Sequence, residues 1–297
     1  MNQHNKVVVL DRGGYTTCTV DLQGATVTSW RLHNEEQLFV TRQSFSQSSS
    51  YVRGGIHLIF PHLGLWSFGP REGFARTLLW VLEEGPDTND TSDVYAVFSL
   101  SHDSYIQALW GYRFKLLYKI VLCENKLVFR IGVQNLCVDT PFQFHIMLSS
   151  LFRVPDVGKC EVAGLQTYVY KDAEKAGAYI ENKKTVTIPE RANKVYIDVN
   201  HDVSITNIMD GNTLRIQRRN HADLSLWNPG DAPSPEIPDL GDGESKYLFG
   251  VKAGTLTRRL HLEPLCSWET SHSFEIVEQS KDKKMIQEIT DFLSGFC

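Results

Sequence analysis

The chain has 297 residues, of which 42% are hydrophobic and 11% aromatic, enough to bury a substantial core in one large domain or two small ones. The net charge is -5, from 30 basic and 35 acidic residues, and no long basic run is present. The composition therefore does not favour binding to nucleic acid or to an anionic membrane. No apolar run approaches about 18 residues, and the first residues do not follow a signal-peptide pattern. We expect an ordinary soluble protein.

The cysteines are widely spaced and form no Cys-x-x-Cys pair, and no cluster of cysteine and histidine has the spacing of a zinc site. They are Cys18, Cys123, Cys137, Cys160, Cys266 and Cys297. The carboxylates and histidines show no ligand spacing either, so no metal and no cofactor is implied. We expect reduced thiols in a cytoplasmic protein.

Short segments rich in β-branched and aromatic residues recur along the chain, with turn signals between them. Several alternate polar and apolar residues, as in the run that begins at Lys126, and helical periodicity is scarce before residue 279. The pattern predicts an all-β sandwich. The expected strands are 6–10, 16–20, 27–32, 78–82, 94–100, 114–122, 126–134 and 142–148, then 185–188, 195–199, 214–217, 222–226, 247–251 and 256–262.

Helical periodicity appears only towards the C-terminal end. Met285, Ile289 and Phe292 recur at helical spacing, after a charged stretch at 280–284. We therefore divide the chain into one β-sandwich domain, residues 1–278, and a short amphipathic helical tail, residues 279–297. We expect this helix to pack on its own sandwich, and binding of a protein partner is the alternative.

Two arginines stand in glycine-containing frames within residues 51–80. Arg53 is followed by two glycines, and Arg76 ends a Gly-Phe-Ala-Arg sequence. Guanidinium groups bind phosphate in a bidentate manner, and adjacent glycines let an anion approach the backbone closely. The stretch is a candidate phosphate site. The alternative is that both arginines are ordinary surface charges.

The same stretch resembles the hexose-6-phosphate mutarotases, or glucose-6-phosphate 1-epimerases, of the galactose-mutarotase-like superfamily. Their pattern reads Arg-Gly-Gly-Ile-Pro, then Phe-Pro and Gly, then His-Gly-Phe-Ala-Arg and Trp. The chain departs from it twice: His57 replaces the proline, and Glu72 replaces the histidine before Gly-Phe-Ala-Arg. The matching residues are Arg53, Gly54, Gly55, Ile56, Phe60, Pro61, Gly64, Gly73, Phe74, Ala75, Arg76 and Trp80. The resemblance spans nearly the whole chain and implies a galactose-mutarotase-like β-supersandwich.

Later blocks continue the resemblance. In block 140–157, which aligns without a gap, the family's catalytic histidine falls on Ser149. In block 239–254, the family's catalytic glutamate falls on Lys252. Together with Glu72, these are the family's catalytic positions, and all three are substituted.

Two further blocks carry binding residues. Block 164–172 keeps Tyr170 and Asp172, and the corresponding aspartate of the family contacts sugar hydroxyls. Block 226–229 keeps the signature Trp-Asn-Pro. The resemblance thus implies that a sugar or sugar phosphate is bound by Arg53, Arg76, Tyr170 and Asp172.

Mutarotation opens the hexose ring, so a base must take the proton of the anomeric hydroxyl while an acid protonates the ring oxygen. The family uses a glutamate base and histidine acids, groups whose pKa values can be tuned near neutrality. Serine is no acid at neutral pH, and lysine is a cation unless it is strongly desolvated. Because losing one acid or base typically costs about 10² to 10⁴ in rate, we expect a site that binds but turns over poorly or not at all.

The substitutions also exchange charge. A histidine has become Glu72 and a glutamate has become Lys252, and in the family these positions face the same sugar. We therefore expect Glu72 and Lys252 to pair across the site.

The sequence leaves three functions open. The first is a binding protein for a carbohydrate or sugar phosphate with lost or strongly impaired anomerase activity. The second is an active glucose-6-phosphate 1-epimerase in which Glu72 and one of His57, His62 and His145 share the proton work. The third is an interaction protein with a vestigial pocket, which acts through its surface or terminal helix.

Overall fold

The structure is a computed structural model that describes residues 7–41, 52–189, 191–220, 223–231, 237–238 and 240–279. The predicted C-terminal helix lies outside the described residues, except for Gln279 at its start. The domain boundary at 278, and a partner-binding role for the helix, therefore stay predictions.

The described residues confirm the predicted all-β sandwich. One α-helix is present among them, α1, Ser104–Trp110, and none of their helices is long and apolar enough to cross a membrane. The strands are β1 Val7–Gly13, β2 Thr16–Asp21, β3 Thr26–Leu32, β4 Glu35–Glu36, β5 Ile56–Ile59, β6 Val81–Thr88, β7 Val94–Ser101, β8 Phe114–Leu122, β9 Lys126–Asn135, β10 Phe142–Phe144, β11 Met147–Arg153, β12 Glu161–Ala163, β13 Val169–Asp172, β14 Tyr179–Ile180, β15 Thr185–Thr187, β16 Ala192–Tyr196, β17 Val203–Thr206, β18 Thr213–Arg219, β19 Asp223–Asn228, β20 Leu248–Gly254, β21 Leu260–Leu262 and β22 Ser267–Val277.

Two large antiparallel sheets form the sandwich. Among the described residues, the first sheet runs β1-β2-β3-β5-β11-β20-β19-β16-β13-β14, with β4 beside β3. The second sheet runs β15-β12-β17-β18-β22-β9-β8-β7-β6, and β10 pairs with β21 apart from both. The centre of the first sheet therefore brings together strands that are far apart in the sequence.

The core lies between the two sheets. Strand β8 alternates buried and half-buried residues along its whole length, as a strand with one face on a core does. Phe152 of the first sheet contacts Phe274 of the second, with ring centroids 5.0 Å apart. Since side chains alternate along a strand, Leu148 and Ser150 point to the core like Phe152, and Ser149 points away from it. We call the side of the first sheet that carries Ser149 the outer face.

The outer face is also covered near the middle of the sheet. Every residue of β20 is buried, which requires cover on both faces. Part of that cover is a second apolar cluster, in which Leu151, Trp227, Ile237 and Leu248 are buried and Phe39 and Leu240 pack against them. Polar groups on this face are thus shielded from water.

Several elements differ from the sequence prediction. The expected strand 142–148 is two strands, because the break at His145 and Ile146 bonds elsewhere: His145 N donates to Pro61 O at 2.8 Å, and Ile146 N to Thr255 Oγ1 at 2.9 Å. Helix α1 was not predicted, since two turns give little periodicity. The strands missed are β4, β5, β12, β13, β14, β17 and β22.

Helix α1 has clear end signals nonetheless. The Asp103 side chain accepts a hydrogen bond from Ile106 N at 2.7 Å, and Gly111 ends the helix with a left-handed φ of 71°.

Gly55 fixes the entry to β5, and this generates a stability prediction. Its φ is +64°, and a Cβ there would lie 2.1 Å from the carbonyl oxygen of Val27, whereas Gly14 has φ +58° with nothing within 4 Å. We expect Gly55→Ala to lower the free energy of unfolding by about 3 kcal/mol and the control Gly14→Ala by about 1 kcal/mol. Urea unfolding of both variants measures the difference, and equal losses would contradict this close approach.

Candidate functional site

A row of polar side chains crosses four neighbouring strands on the outer face. Ser149 of β11 is directly paired with His57 of β5 on one side and with Lys252 of β20 on the other. Lys252 is in turn paired with Ser225 of β19. Directly paired residues point to the same face with Cβ atoms about 4.5–5.5 Å apart. We call His57, Ser149, Lys252 and Ser225 the polar row.

The polar row is almost fully enclosed. His57, Ser149 and Lys252 are 6%, 4% and 9% exposed, and Ser225 is 2% exposed. Two of its polar atoms, His57 Nδ1 and Ser225 Oγ, have no hydrogen-bond partner within the part of the chain that the structure describes. Because unpaired buried polar groups cost free energy, such atoms are candidates for contact with a bound ligand.

Lys252 is held by an aromatic ring. Its Nζ lies 5.1 Å from the ring centroid of Trp227, a distance at which the ring face attracts a cation. Gly250 makes this possible, since a Cβ at that position would be 2.8 Å from a ring carbon of Trp227. The ring can therefore lie over β20, beside Lys252.

A buried ion pair stands next to the row. A parallel bridge between Phe60, immediately after β5, and Gly73 brings the following loop back beside that strand. Arg76 lies just after this bridge, in the 3-10 helix Ala75–Thr77. Arg76 Nη1 donates to the carboxylate of Glu72, and both residues are buried. Glu72 adopts a left-handed φ of 62°, and its N–H bonds to Gly64 O at 2.8 Å.

The carboxylate of Glu72 thus forms an ion pair with Arg76. This is an i,i+4 pair within one segment, and the sequence had suggested a different partner for the same carboxylate. The pairing of Glu72 with Lys252 stays a prediction.

His57 is the centre of this charged environment. Burial lowers the pKa of His57 well below its usual value of 6.5, and the positive charges of Arg76 and Lys252 lower it further, against a smaller opposing effect of the Gly54 carbonyl. The imidazole is therefore neutral at physiological pH. The charges of Arg76 and Lys252 therefore both act on this ring.

Arg53 precedes this group on the same segment. Its carbonyl oxygen accepts a hydrogen bond from Thr41 N at 3.1 Å, and the side chain is partly buried four residues before His57. A role in phosphate binding stays a prediction for Arg53, as it does for Arg76.

Tyr170 and Asp172 lie on the other face of the sheet. Lys171, between them, is paired with Val195, and Val195 is paired with Ser225. Lys171 therefore points to the same face of the sheet as the polar row. Its two neighbours must then point the opposite way. Tyr170 accordingly packs against the main core. The structure does not bring these two side chains to the polar row, and their contact with a sugar stays a prediction.

The other two histidines lie away from the row along the strand direction, past the ends of the β5–β11 pairing. His62 stacks on Trp66 with ring centroids 5.7 Å apart, and His145 Nδ1 is 2.6 Å from Thr255 O. Burial is the largest cause that lowers the pKa of each, and the charge of Arg259 adds to it. His62, Trp66 and Arg259 line a separate open cleft of about 630 Å³.

Two residues of this site had not been predicted as functional. Ser225 and Trp227 belong to the run Leu-Ser-Leu-Trp-Asn-Pro, whose Trp-Asn-Pro signature was noted only as a family match. The sequence signal that could have identified them is their period-two spacing, because residues two apart in a strand point to the same face.

The comparisons with known proteins agree with this architecture. The sequence profile of a family described as aldose 1-epimerase matches residues 6–270. The chain belongs to the aldose 1-epimerase family. A protein of Cenchrus ciliaris named "Putative glucose-6-phosphate 1-epimerase" is 25% identical over 283 residues, which cover 93% of this chain and 85% of that protein. An Escherichia coli protein of the same name is 27% identical over 238 residues, which cover 78% and 77%.

Solved structures show the same fold in this aldose 1-epimerase family member. The structure titled "putative mutarotase (YeaD)" from Salmonella typhimurium has a TM-score of 0.81 at 22% identity, covering 92% of this chain and 90% of that one. A galactose mutarotase related enzyme from Lactobacillus acidophilus has a TM-score of 0.70 at 13% identity, covering 93% and 98%. The fold is therefore the galactose-mutarotase-like β-sandwich, as predicted.

The ion pair of Glu72 and Arg76 should matter to stability. Glu72→Gln leaves a buried guanidinium without its carboxylate, so we expect a loss of about 3–5 kcal/mol in the free energy of unfolding. The matched control is Asp198→Asn, which breaks the exposed pair with Arg258 and should cost less than about 1 kcal/mol. Chemical denaturation of both variants measures these losses. If both variants lost less than about 1 kcal/mol of unfolding free energy, the ion pair of Glu72 and Arg76 would not be buried.

The neutral His57 should make stability depend on pH. Its folded pKa lies below its unfolded value, so the unfolded chain binds a proton that the folded one does not, and stability falls as pH drops below about 6.5. We expect His57→Gln to reduce this slope by about 1.4 kcal/mol per pH unit. Urea unfolding between about pH 7.5 and about pH 5.5 measures it. The exposed His261→Gln serves as control, and an unchanged slope in His57→Gln would contradict burial of a neutral ring.

Proposed function

We propose that this aldose 1-epimerase family member binds a hexose or hexose phosphate over the polar row, with anomerisation lost or strongly impaired. The observation that carries the proposal is the direct pairing of Ser149 with Lys252. The resemblance assigns the family's catalytic histidine and glutamate to these two positions. In this chain the two positions lie side by side on one face of the sheet, and their side chains are a hydroxyl and an ammonium.

The chemistry supports the loss of the family's route. Ser149 cannot protonate a ring oxygen at neutral pH, and the ammonium of Lys252 cannot take a proton from the anomeric hydroxyl. Glu72, at the third substituted position, is engaged with Arg76. Each missing acid or base typically costs about 10² to 10⁴ in rate.

The charges support a phosphorylated ligand. Two basic side chains, Arg76 and Lys252, lower the pKa of His57, and the carboxylate of Glu72 is paired with Arg76, so the charge balance of these residues is positive. Guanidinium groups suit phosphate in particular. Relatives named for glucose-6-phosphate point in the same direction. Tyr170 and Asp172 remain predicted sugar contacts only.

We also propose the cytoplasm as its location. The cysteines of the described residues, five in number, are free thiols, in keeping with a reducing compartment.

Calorimetry and anomerisation by NMR test the proposal together. We expect heat of binding from glucose 6-phosphate at up to millimolar concentration, and less from glucose or inorganic phosphate alone. The double reversion Ser149→His with Lys252→Glu restores the family's pair and keeps the Glu72–Arg76 ion pair, so it should remain folded. It should raise the anomerisation rate by at least about 10²-fold.

The triple reversion, which adds Glu72→His, extends this series at a cost in stability that thermal unfolding will show. Two results would contradict the proposed function. One is the absence of binding by any hexose or hexose phosphate, and the other is an unmodified protein as fast as the folded double reversion.

A further inference from the structure

The polar row contains an imidazole one strand away from the position of the family's histidine. His57 is the direct partner of Ser149, so its ring projects from the same face with a Cβ about 4.5–5.5 Å from that of Ser149. Lys252 flanks Ser149 on the other side. The hydroxyl of Ser149 therefore lies between a group that can accept a proton and a group that can donate one.

We propose that His57 and Lys252 form a proton-transfer pair for hexose anomerisation in which the polarity of the family's pair is inverted. His57 is the base for the anomeric hydroxyl, and Lys252 is the acid for the ring oxygen. The pair rests on the proposed function, because it needs a sugar over the polar row. It predicts a residual turnover for the impaired site.

The proton transfers balance. His57 takes the proton of the anomeric hydroxyl, the C1–O5 bond breaks as the C1=O1 double bond forms, and the ammonium of Lys252 gives its proton to O5. The product is the open-chain aldehyde beside an imidazolium and a neutral amine. After rotation about C1–C2, the amine takes the O5 proton, O5 attacks C1, and the imidazolium returns a proton to O1. No other reactant is consumed.

The surroundings of His57 keep its imidazole unprotonated and able to accept a proton, but the same positive charges make it a weak base. Besides burial, the positive charges that lower its pKa are those of Arg76, from the 3-10 helix, and Lys252, from β20. The carboxylate nearest in the sequence, Glu72, is paired with Arg76. A neutral imidazole next to a charged ammonium is the protonation state that an inverted pair requires.

The geometry lets the two groups approach the anomeric carbon from opposite sides, because O1 and O5 are both bonded to C1. His57 and Lys252 lie on strands two positions apart, so their backbones are separated by about 10 Å. Both side chains rise from the same face, and the long lysine stem can move its Nζ from the ring of Trp227 towards the row. The bound hexose then presents O1 to His57 and O5 to Lys252. This is the reverse of the family's arrangement, in which the base stands at position 252.

Anomerisation assays at saturating glucose 6-phosphate test the pair. We expect the unmodified protein to accelerate the reaction by about 10²-fold over the spontaneous rate, since two proton-transfer groups remain but the lysine is a weak acid. His57→Asn should remove most of that acceleration. Lys252→Arg should do the same, because arginine keeps the charge and the contact with Trp227 but does not release a proton.

Binding and folding are measured on the same variants. Calorimetry should show that Lys252→Arg keeps its affinity within about threefold while the rate is lost, a split that a purely structural role would not produce. His261→Asn, an exposed histidine on β21, should keep the full rate. Thermal unfolding confirms that each variant is folded.

The outcomes separate the two proposals. Binding without acceleration, or acceleration that survives both His57→Asn and Lys252→Arg, overturns the pair and leaves the proposed function in place. Failure to bind any hexose or hexose phosphate overturns both.

Discussion

The antiparallel register of β11 with β5 and β20 is the constraint on which the site depends. Ser149 is aligned with His57 and Lys252 at once, and side chains alternate between the two faces along each strand. If β11 shifted by one residue, Leu148 or Ser150 would take the place of Ser149 on the outer face, and the Ser149 side chain would point into the core. The core packing of Leu148 and Phe152 and the composition of the site are therefore fixed by one register.

The ionisable side chains at this site are buried, and their charges influence one another. Arg76 and Glu72 neutralise one another, the ammonium of Lys252 lies against the Trp227 ring, and His57 remains neutral between the two cations. Buried ionisable groups with perturbed pKa values are concentrated at functional sites more often than elsewhere, because stability alone gives little reason to keep them. The chain belongs to the aldose 1-epimerase family, and the proposed assignment of the family's catalytic positions to Glu72, Ser149 and Lys252 predicts a different chemistry.

Much of this could be predicted from the sequence. Strand β8 matches the expected 114–122, because a strand with one buried face alternates clearly in period two. The glycine and arginine frame of residues 53–76 led to the right family, and two later blocks of the resemblance identified Ser149 and Lys252 as positions of interest.

The rest depends on contacts between distant segments. Strand β5 is buried on both faces and only four residues long, so it carries no alternation, and β22 is rich in serine and glutamate. That His57 stands beside Ser149, 92 positions away, follows from strand order rather than from local pattern. The same holds for Tyr170, for which the family resemblance implied a sugar contact and whose register directs it to the core side.

A crystal structure of the protein with bound glucose 6-phosphate would test the central claim most directly, since that claim concerns where a sugar is held. We expect the sugar ring over the polar row, with C1 between His57 and Lys252 and the phosphate at Arg53 or Arg76. A ligand bound elsewhere, for example in the cleft lined by Trp66 and Trp110, with the row still enclosed, would contradict it.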